Sequence, residues 1–153
     1  MTLNPASIPP DGRHRYAIRV YYEDTDAGGV VYHANYLRYA ERARTEALRD
    51  IGAPHADLLD NFGLMFMVRG LEVDYERGAR LDDALTVETE VLDVGGATVR
   101  LRQTVRNKDG VCAVLAVRLA CVRLEGTRPG RIPPRWRDSL TAMRHNREAT
   151  GLT

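Results

Sequence analysis

Residues 35–51 read Asn-Tyr-Leu-Arg-Tyr-Ala-Glu-Arg-Ala-Arg-Thr-Glu-Ala-Leu-Arg-Asp-Ile, and their spacing decides the fold. Apolar or small residues recur at Tyr36, Ala40, Ala43, Ala47 and Ile51, with Arg42, Arg44, Glu46 and Arg49 among the positions between them. A stripe of that period is one face of an amphipathic helix. Asn35 is the expected N-cap, and Gly52 followed by Pro54 supplies the stop. The spacing therefore predicts one long helix over 35–51, with a short second one over 56–61.

Working outward, nearly everything else up to Glu125 alternates with period two, as half-buried strands do. Upstream, Tyr16, Ile18, Val20 and Tyr22 share a face opposite Arg19 and Tyr21. Downstream, Leu71, Val73 and Tyr75 form one such run, Leu85, Val87, Thr89 and Val91 another, and Val99, Leu101, Gln103 and Val105 a third. Gly95-Gly96 and Asn107-Lys108-Asp109-Gly110 supply turns. Val111 to Val122 is apolar on both faces except at Arg118, so that strand belongs in the middle of a sheet or under cover on both sides. Strand, long helix, then about four antiparallel strands is an α+β order. One helix is too few for a doubly wound fold, and no Gly-rich nucleotide loop is present. The helix is the natural cover for the sheet's apolar face. Protection of the outer edge then favours a homodimer or homotetramer.

The chain of 153 residues, 44% hydrophobic and 28% charged, suits one domain with a sizeable core. No stretch approaches the roughly 20 apolar residues that span a bilayer, and the first residues lack an apolar signal core. Cys112 and Cys121 stand nine apart in one strand, roughly 30 Å, too far to bridge, and neither has a metal-ligand spacing. These features lead us to expect a cytoplasmic, metal-free protein without a cofactor. Residues 1–14 read as a flexible arm, 15–125 as the folded body and 126–153 as a basic tail with a short helix on Trp136, Leu140 and Met143. The tail's six arginines against two acids give it +4, while residues 1–125 carry −3, so the overall +1 is an average of unlike parts. A charge run of this kind usually forms a solvated face; contact with phosphate, an anionic membrane surface or a protein is the alternative.

Chemistry concentrates in residues 20–36, Val-Tyr-Tyr-Glu-Asp-Thr-Asp-Ala-Gly-Gly-Val-Val-Tyr-His-Ala-Asn-Tyr. Glu23, Asp24 and Asp26 fall within four positions at a strand end, Gly28 and Gly29 follow, and His33 stands just before the helix. Three acids in a polar loop commonly serve only as turn formers. Here the glycines permit close backbone approach, and a helix start offers N–H donors able to hold a developing oxyanion. A carboxylate beside such donors, with an imidazole nearby, suits acyl transfer or hydrolysis. Glu23 and Asp24 read as solvated or supporting, and Glu41 and Glu46 as ion-paired with helix arginines.

The run Glu23-Asp-Thr-Asp-Ala-Gly-Gly-Val-Val-Tyr-His-Ala-Asn-Tyr36 resembles the signature of the hotdog-fold acyl-CoA thioesterases of the 4-hydroxybenzoyl-CoA thioesterase family, most closely the branch associated with the Tol-Pal envelope system. The likeness continues through Tyr39–Glu46 and Val73–Asp83 and covers about residues 15–125. It implies a hotdog fold, a long central helix wrapped by a curved antiparallel sheet. It also implies hydrolysis of an acyl-CoA or acyl-carrier-protein thioester, with Asp26 as nucleophile or general base and His33 polarising the carbonyl. Gly29 and Tyr32 would shape the pocket. Arg80 lies in a stretch that in the family approaches the pantetheine arm. A basic hairpin that holds nucleotide phosphates in a relative is replaced here by Asp93-Val94-Gly95-Gly96, leaving Arg100, Arg102 and the tail as options. The contrasting readings are a non-catalytic acyl-thioester-binding module of an envelope or lipid-synthesis complex, and a hotdog dehydratase or hydratase. The sequence suggests no nucleic-acid partner.

Overall fold

The alanine stripe lets its helix seat closely on a sheet. In a computed structural model, which describes residues 11–144, helix α1 runs Asn35–Asp50 and buries Tyr36, Tyr39, Ala40, Ala43, Ala47 and Leu48. Helix α2 follows at His55–Phe62 and stops at Gly63, whose φ of 63° is a left-handed helix end that glycine adopts without strain. Strands β1 (His14–Arg19), β2 (Leu64–Tyr75), β3 (Ala84–Val94), β4 (Thr98–Asn107) and β5 (Gly110–Arg123) form one antiparallel sheet in the order β1-β3-β4-β5-β2. The strand that is apolar on both faces, β5, is interior, and β2 and β1 are the edges.

Register assigns the two faces. Val87, Val105 and Ala113 sit opposite one another on β3, β4 and β5, all buried against α1. Gln103 points the same way, since its Nε2 donates to the Ala40 carbonyl of α1 at 2.9 Å. Arg100, Arg102 and Arg106 alternate with these positions and therefore occupy the far, solvent face. At the edges, β1 is short and carries Arg15 and Arg19, whereas β2 is 12 residues long and leaves Val68, Leu71 and Tyr75 exposed.

Three expectations change. The first strand ends at Arg19, so Tyr22 does not share its buried face; residues 22–24 form a short 3-10 turn and Tyr22 is 82% exposed. Of the arm expected over 1–14, residues 1–10 lie outside the described residues, while His14 opens β1, is buried and meets the Asp50 carboxylate at 2.7 Å. The tail is not an arginine-coated surface helix. Helix α3 (Pro134–Ala142) buries Trp136, Ser139 and Leu140, joined by Ile132 and Met143. Its arginines are committed to backbone: Arg137 donates to the Gly95 carbonyl at 2.7 Å, and Arg135 donates to the Gly52 carbonyl and pairs with Asp57. Arg147 and the last residues lie outside the described region.

Trp136 is the chain's one tryptophan and is 1% exposed, so its removal leaves a large cavity. Trp136→Ala is expected to cost about 3–5 kcal/mol in urea denaturation, whereas Leu124→Ala, at an exposed position, stays within about 0.5 kcal/mol. Equal small losses would mean that α3 is not part of the core.

Candidate active site

The acid-rich loop is folded back on itself by two short pairings. Thr25 bridges Val31, and Val30 bridges Arg80 from the β2–β3 connection. Within this frame Asp26 to Gly29 make a tight turn. The Gly29 N–H donates to the Asp26 carbonyl at 3.0 Å, and the Gly28 N–H to Asp26 Oδ1 at 2.8 Å. Gly29 has φ +79°, where a side chain is strained, and a Cβ on Gly28 would lie 3.2 Å from Asp26 Oδ1. The two glycines thus let the Asp26 carboxylate fold over the turn while remaining exposed.

The start of α1 comes next. Tyr32 donates its N–H to the Asp24 carbonyl and Asn35 its N–H to the Tyr32 carbonyl, at 2.9 and 2.8 Å. His33 is exposed, its ring 4.5 Å from that of Tyr32, and its carbonyl accepts the Tyr75 hydroxyl at 3.0 Å. Tyr36 Oη accepts the Ala79 N–H, tying the first turn of α1 to the β2–β3 connection. Asp26, Gly29, Tyr32, His33 and Arg80 are therefore gathered at one end of the sheet.

The sequence reading missed what holds this assembly. Asp24, read as solvated or supporting, takes the supporting role and is 8% exposed. Its Oδ2 accepts the Tyr21 N–H at 2.9 Å and its Oδ1 accepts Asn35 Nδ2 at 2.8 Å. Asn35 accordingly does not cap the helix; Ala34 is the N-cap residue and the Asn35 side chain reaches back to the loop instead. No local signal marks this meeting, since the two residues stand eleven apart and come together only because the loop doubles back. Burial, and after it the neighbouring Asp24 carboxylate, pushes the Tyr39 phenol above its ordinary value.

Arg80 has its backbone N–H held by Asp83 Oδ2 at 2.9 Å, and Asp83 also accepts Asn107 Nδ2 at 3.2 Å, so the charged turn at 80–83 is a structural clip. Arg100 and Arg102 are not brought to the loop. They lie across the sheet from α1, and Arg102 is paired with Glu90 at 3.3 Å. Glu46 pairs with Arg49, but Glu41 makes no ion pair among the described residues and lines a cavity instead. Among those residues no group of three or more His, Cys, Asp or Glu side chains could hold a metal ion.

A half-open cavity of about 470 Å³ lies away from the loop, between the later turns of α1, α2 and the inner face of the sheet. Met65 and Phe66 of β2 line it.

The two loop aspartates should part company in stability measurements. Asp24→Ala strands the Asn35 amide and the Tyr21 N–H in a buried site and is expected to cost about 2–3 kcal/mol by denaturant titration. Asp26→Ala, at an exposed carboxylate, should change stability by no more than about 0.5 kcal/mol. Gly29→Ala should cost about 1 kcal/mol through the positive φ alone, since nothing lies within 4 Å of the added Cβ.

The thioesterase superfamily profile matches residues 28–114. Over 123 residues the chain is 46% identical to the acyl-CoA thioesterase YbgC of Haemophilus influenzae, spanning 80% of this chain and 90% of that one. It is 41% identical over 120 residues to the acyl-CoA thioester hydrolase YbgC of Escherichia coli O6:H1, spanning 78% and 89%. Among solved structures, a probable thioesterase of Bartonella henselae superposes with a TM-score of 0.75 at 35% identity, covering 79% of this chain and 99% of that chain. A structure from Aquifex aeolicus superposes with a TM-score of 0.77 at 28% identity, over 82% and 98%. With a long helix laid on a five-stranded antiparallel sheet and relatives of this kind over most of its length, the chain belongs to the thioesterase superfamily and has its hotdog fold.

Proposed function

We infer that this chain is an acyl-CoA thioesterase, cleaving the thioester to a free acid and a thiol. The observation that carries the residue assignment is the turn Asp26–Gly29, which sets an exposed carboxylate next to the start of α1. On this reading the thioester carbonyl lies over the His33–Asn35 segment. The N–H groups of His33 and Ala34, which have no acceptor among the described residues, take the carbonyl oxygen as it gains negative charge. The His33 ring, held by Tyr32 and Tyr75, and the exposed face of Tyr32 border the thioester, and Gly29 leaves room for it.

Two routes use the same atoms. In one, Asp26 takes a proton from water, hydroxide adds to the carbonyl carbon, and the tetrahedral intermediate expels the thiolate. In the other, Asp26 itself adds, the thiolate leaves from a mixed anhydride, and water then cleaves that anhydride. A thiol leaves readily near neutral pH, so neither route requires a strong general acid. A single turnover in oxygen-18 water separates them, because only the nucleophilic route can leave label in the aspartate.

Arg80, one strand away from Val30, is the nearest of the proposed phosphate partners. Arg100 and Arg102 lie across the sheet, so a phosphate role for them is confined to a thioester held by a neighbouring copy. The exposed apolar edge of β2 supports pairing of two copies into a homodimer, with a homotetramer as the larger assembly. The YbgC relatives support placement in the branch associated with the Tol-Pal system, and a cytoplasmic protein accepting acyl-CoA or acyl-carrier-protein thioesters accords with it. No helix among the described residues is long and apolar enough to cross a membrane.

Asp26→Asn is expected to lower kcat/KM for acyl-CoA hydrolysis by about 10²–10⁴, read as thiol release over a panel of chain lengths, with the denaturation midpoint unchanged. Equal rates in the two proteins would remove Asp26 from the chemistry. Val68→Asp combined with Leu71→Lys should halve the mass seen by light scattering; an unchanged mass would move the interface elsewhere.

A further inference from the structure

The cavity between α1, α2 and the sheet is not lined by any residue of the acid-rich loop. Its walls are chiefly apolar, with Leu48, Leu59, Phe66, Leu101, Leu140 and Met143 among them. Into this lining projects Arg44, half-buried, with no carboxylate within ion-pair distance among the described residues. Its Nη1 donates to Gln103 Oε1 at 2.9 Å. Gln103 is fully buried, and its Nε2 is held by the Ala40 carbonyl at 2.9 Å and by Thr89 Oγ1 at 3.0 Å, so the amide can present only its oxygen to Arg44. The guanidinium is thus oriented by a rigid neutral partner, and Glu41 on the same wall attracts it only from beyond ion-pair distance. Burial lowers its pKa, with Glu41 one turn away opposing the shift. His55 shares the wall, its pKa lowered by burial first and then by Arg44 and Arg49.

We propose that this cavity is a binding site for an aliphatic carboxylate, its chain among the apolar residues and its carboxylate on Arg44. Guanidinium and carboxylate match as a bidentate pair, and the hydrogen bond to Gln103 leaves most of the five guanidinium N–H groups free for it. A volume of about 470 Å³ falls within the ordinary range of ligand pockets. It leaves ample room for an acid of eight carbons. Such an acid is also what thioester hydrolysis releases. A link between product level and the enzyme rests on that reading; the binding itself does not.

The test is calorimetric titration of the full chain with octanoate and with 1-octanol, which differ only in the head group. One octanoate is expected per chain, bound at least tenfold more tightly than octanol. Arg44→Gln should weaken octanoate tenfold or more and leave octanol within about twofold, while Arg44→Lys keeps part of the preference. Leu59→Trp, which fills the cavity from a partly exposed position, should weaken both ligands. Asp26→Asn should bind octanoate as the parent does, which separates this site from the hydrolytic one. Absence of octanoate binding, equal affinity for acid and alcohol, or an unchanged affinity in Arg44→Gln would overturn the proposal. A change of molar mass in Arg44→Gln, with no octanoate bound by the parent, would overturn it in favour of contact between copies. Where Arg44→Gln fails to fold, the acid-to-alcohol ratio of the parent and the Arg44→Lys variant decide.

Discussion

How closely α1 can lie on the sheet governs the rest of the molecule. Ala40, Ala43 and Ala47 are almost wholly buried, and a larger side chain at any of them would hold the helix away. The close approach brings the backbone of α1 within reach of β4, where Gln103 donates to the Ala40 carbonyl. That carbonyl also belongs to the helix's own ladder, so the added bond costs the helix no acceptor. A buried amide surrounded by apolar residues is tolerated only when its groups are matched. Gln103 meets α1, β3 and Arg44 together, which sets the position of the helix along the sheet and gives the cavity its fixed polar point.

With α1 in place, the loop that precedes it comes back to its N-terminus through Asp24. A carboxylate with Asn35 on one oxygen and the Tyr21 N–H on the other draws the strand end and the helix start together. The loop between them must double back, and the glycines at 28 and 29 are the residues that allow it. One aspartate therefore holds the loop, and the one two residues later, Asp26, stays exposed on its turn. Ala79 from the β2–β3 connection, through Tyr36, and Tyr75 from β2 brace the same turn, so the first turn of α1 is held from the sheet side as well.

Periodicity made the elements legible. The long helix, α2, α3 and the strand alternations are local patterns, and burial of one face enforces them. Cross-chain meetings were not legible. Asn35 carries the usual mark of a helix cap, but an acid folded back from eleven residues upstream offers its amide a stronger partner than its own helix does. Tyr22 continues the alternation of β1 in sequence, yet the Tyr21–Asp24 contact turns the chain before it can join the sheet. Arg135 and Arg137 read as solvated because nothing local says that carbonyls at Gly52 and Gly95 will face them. Asp26 stood out by its turn-forming neighbours. Arg44 did not, because one arginine among several on a polar helix face looks like surface until the register places it over Gln103.

The two sheet edges show why such placement matters for assembly. β1 is protected by its brevity and its arginines. β2 is longer and exposes Val68, Leu71 and Tyr75 between the charges Arg69, Glu72 and Asp74, and a bulge between Val68 and Gly70 interrupts its pairing with β5. Opposite that bulge stands Arg118, whose guanidinium packs so close to Gly70 that an added Cβ would lie 2.2 Å from Nη2. A side chain at position 70 would have to displace the Arg118 guanidinium, and Arg118 is the one charge among the apolar residues 111–122 of β5. It also stands directly across from Arg100, an unfavourable pairing of like charges. Folding Arg118 over Gly70 draws its charge away from Arg100 and lays a cation over the far face of the edge strand. A second chain that pairs with β2 must accommodate that cation and the bulge together. In the homodimer proposed above, these two features would limit the register in which the copies join.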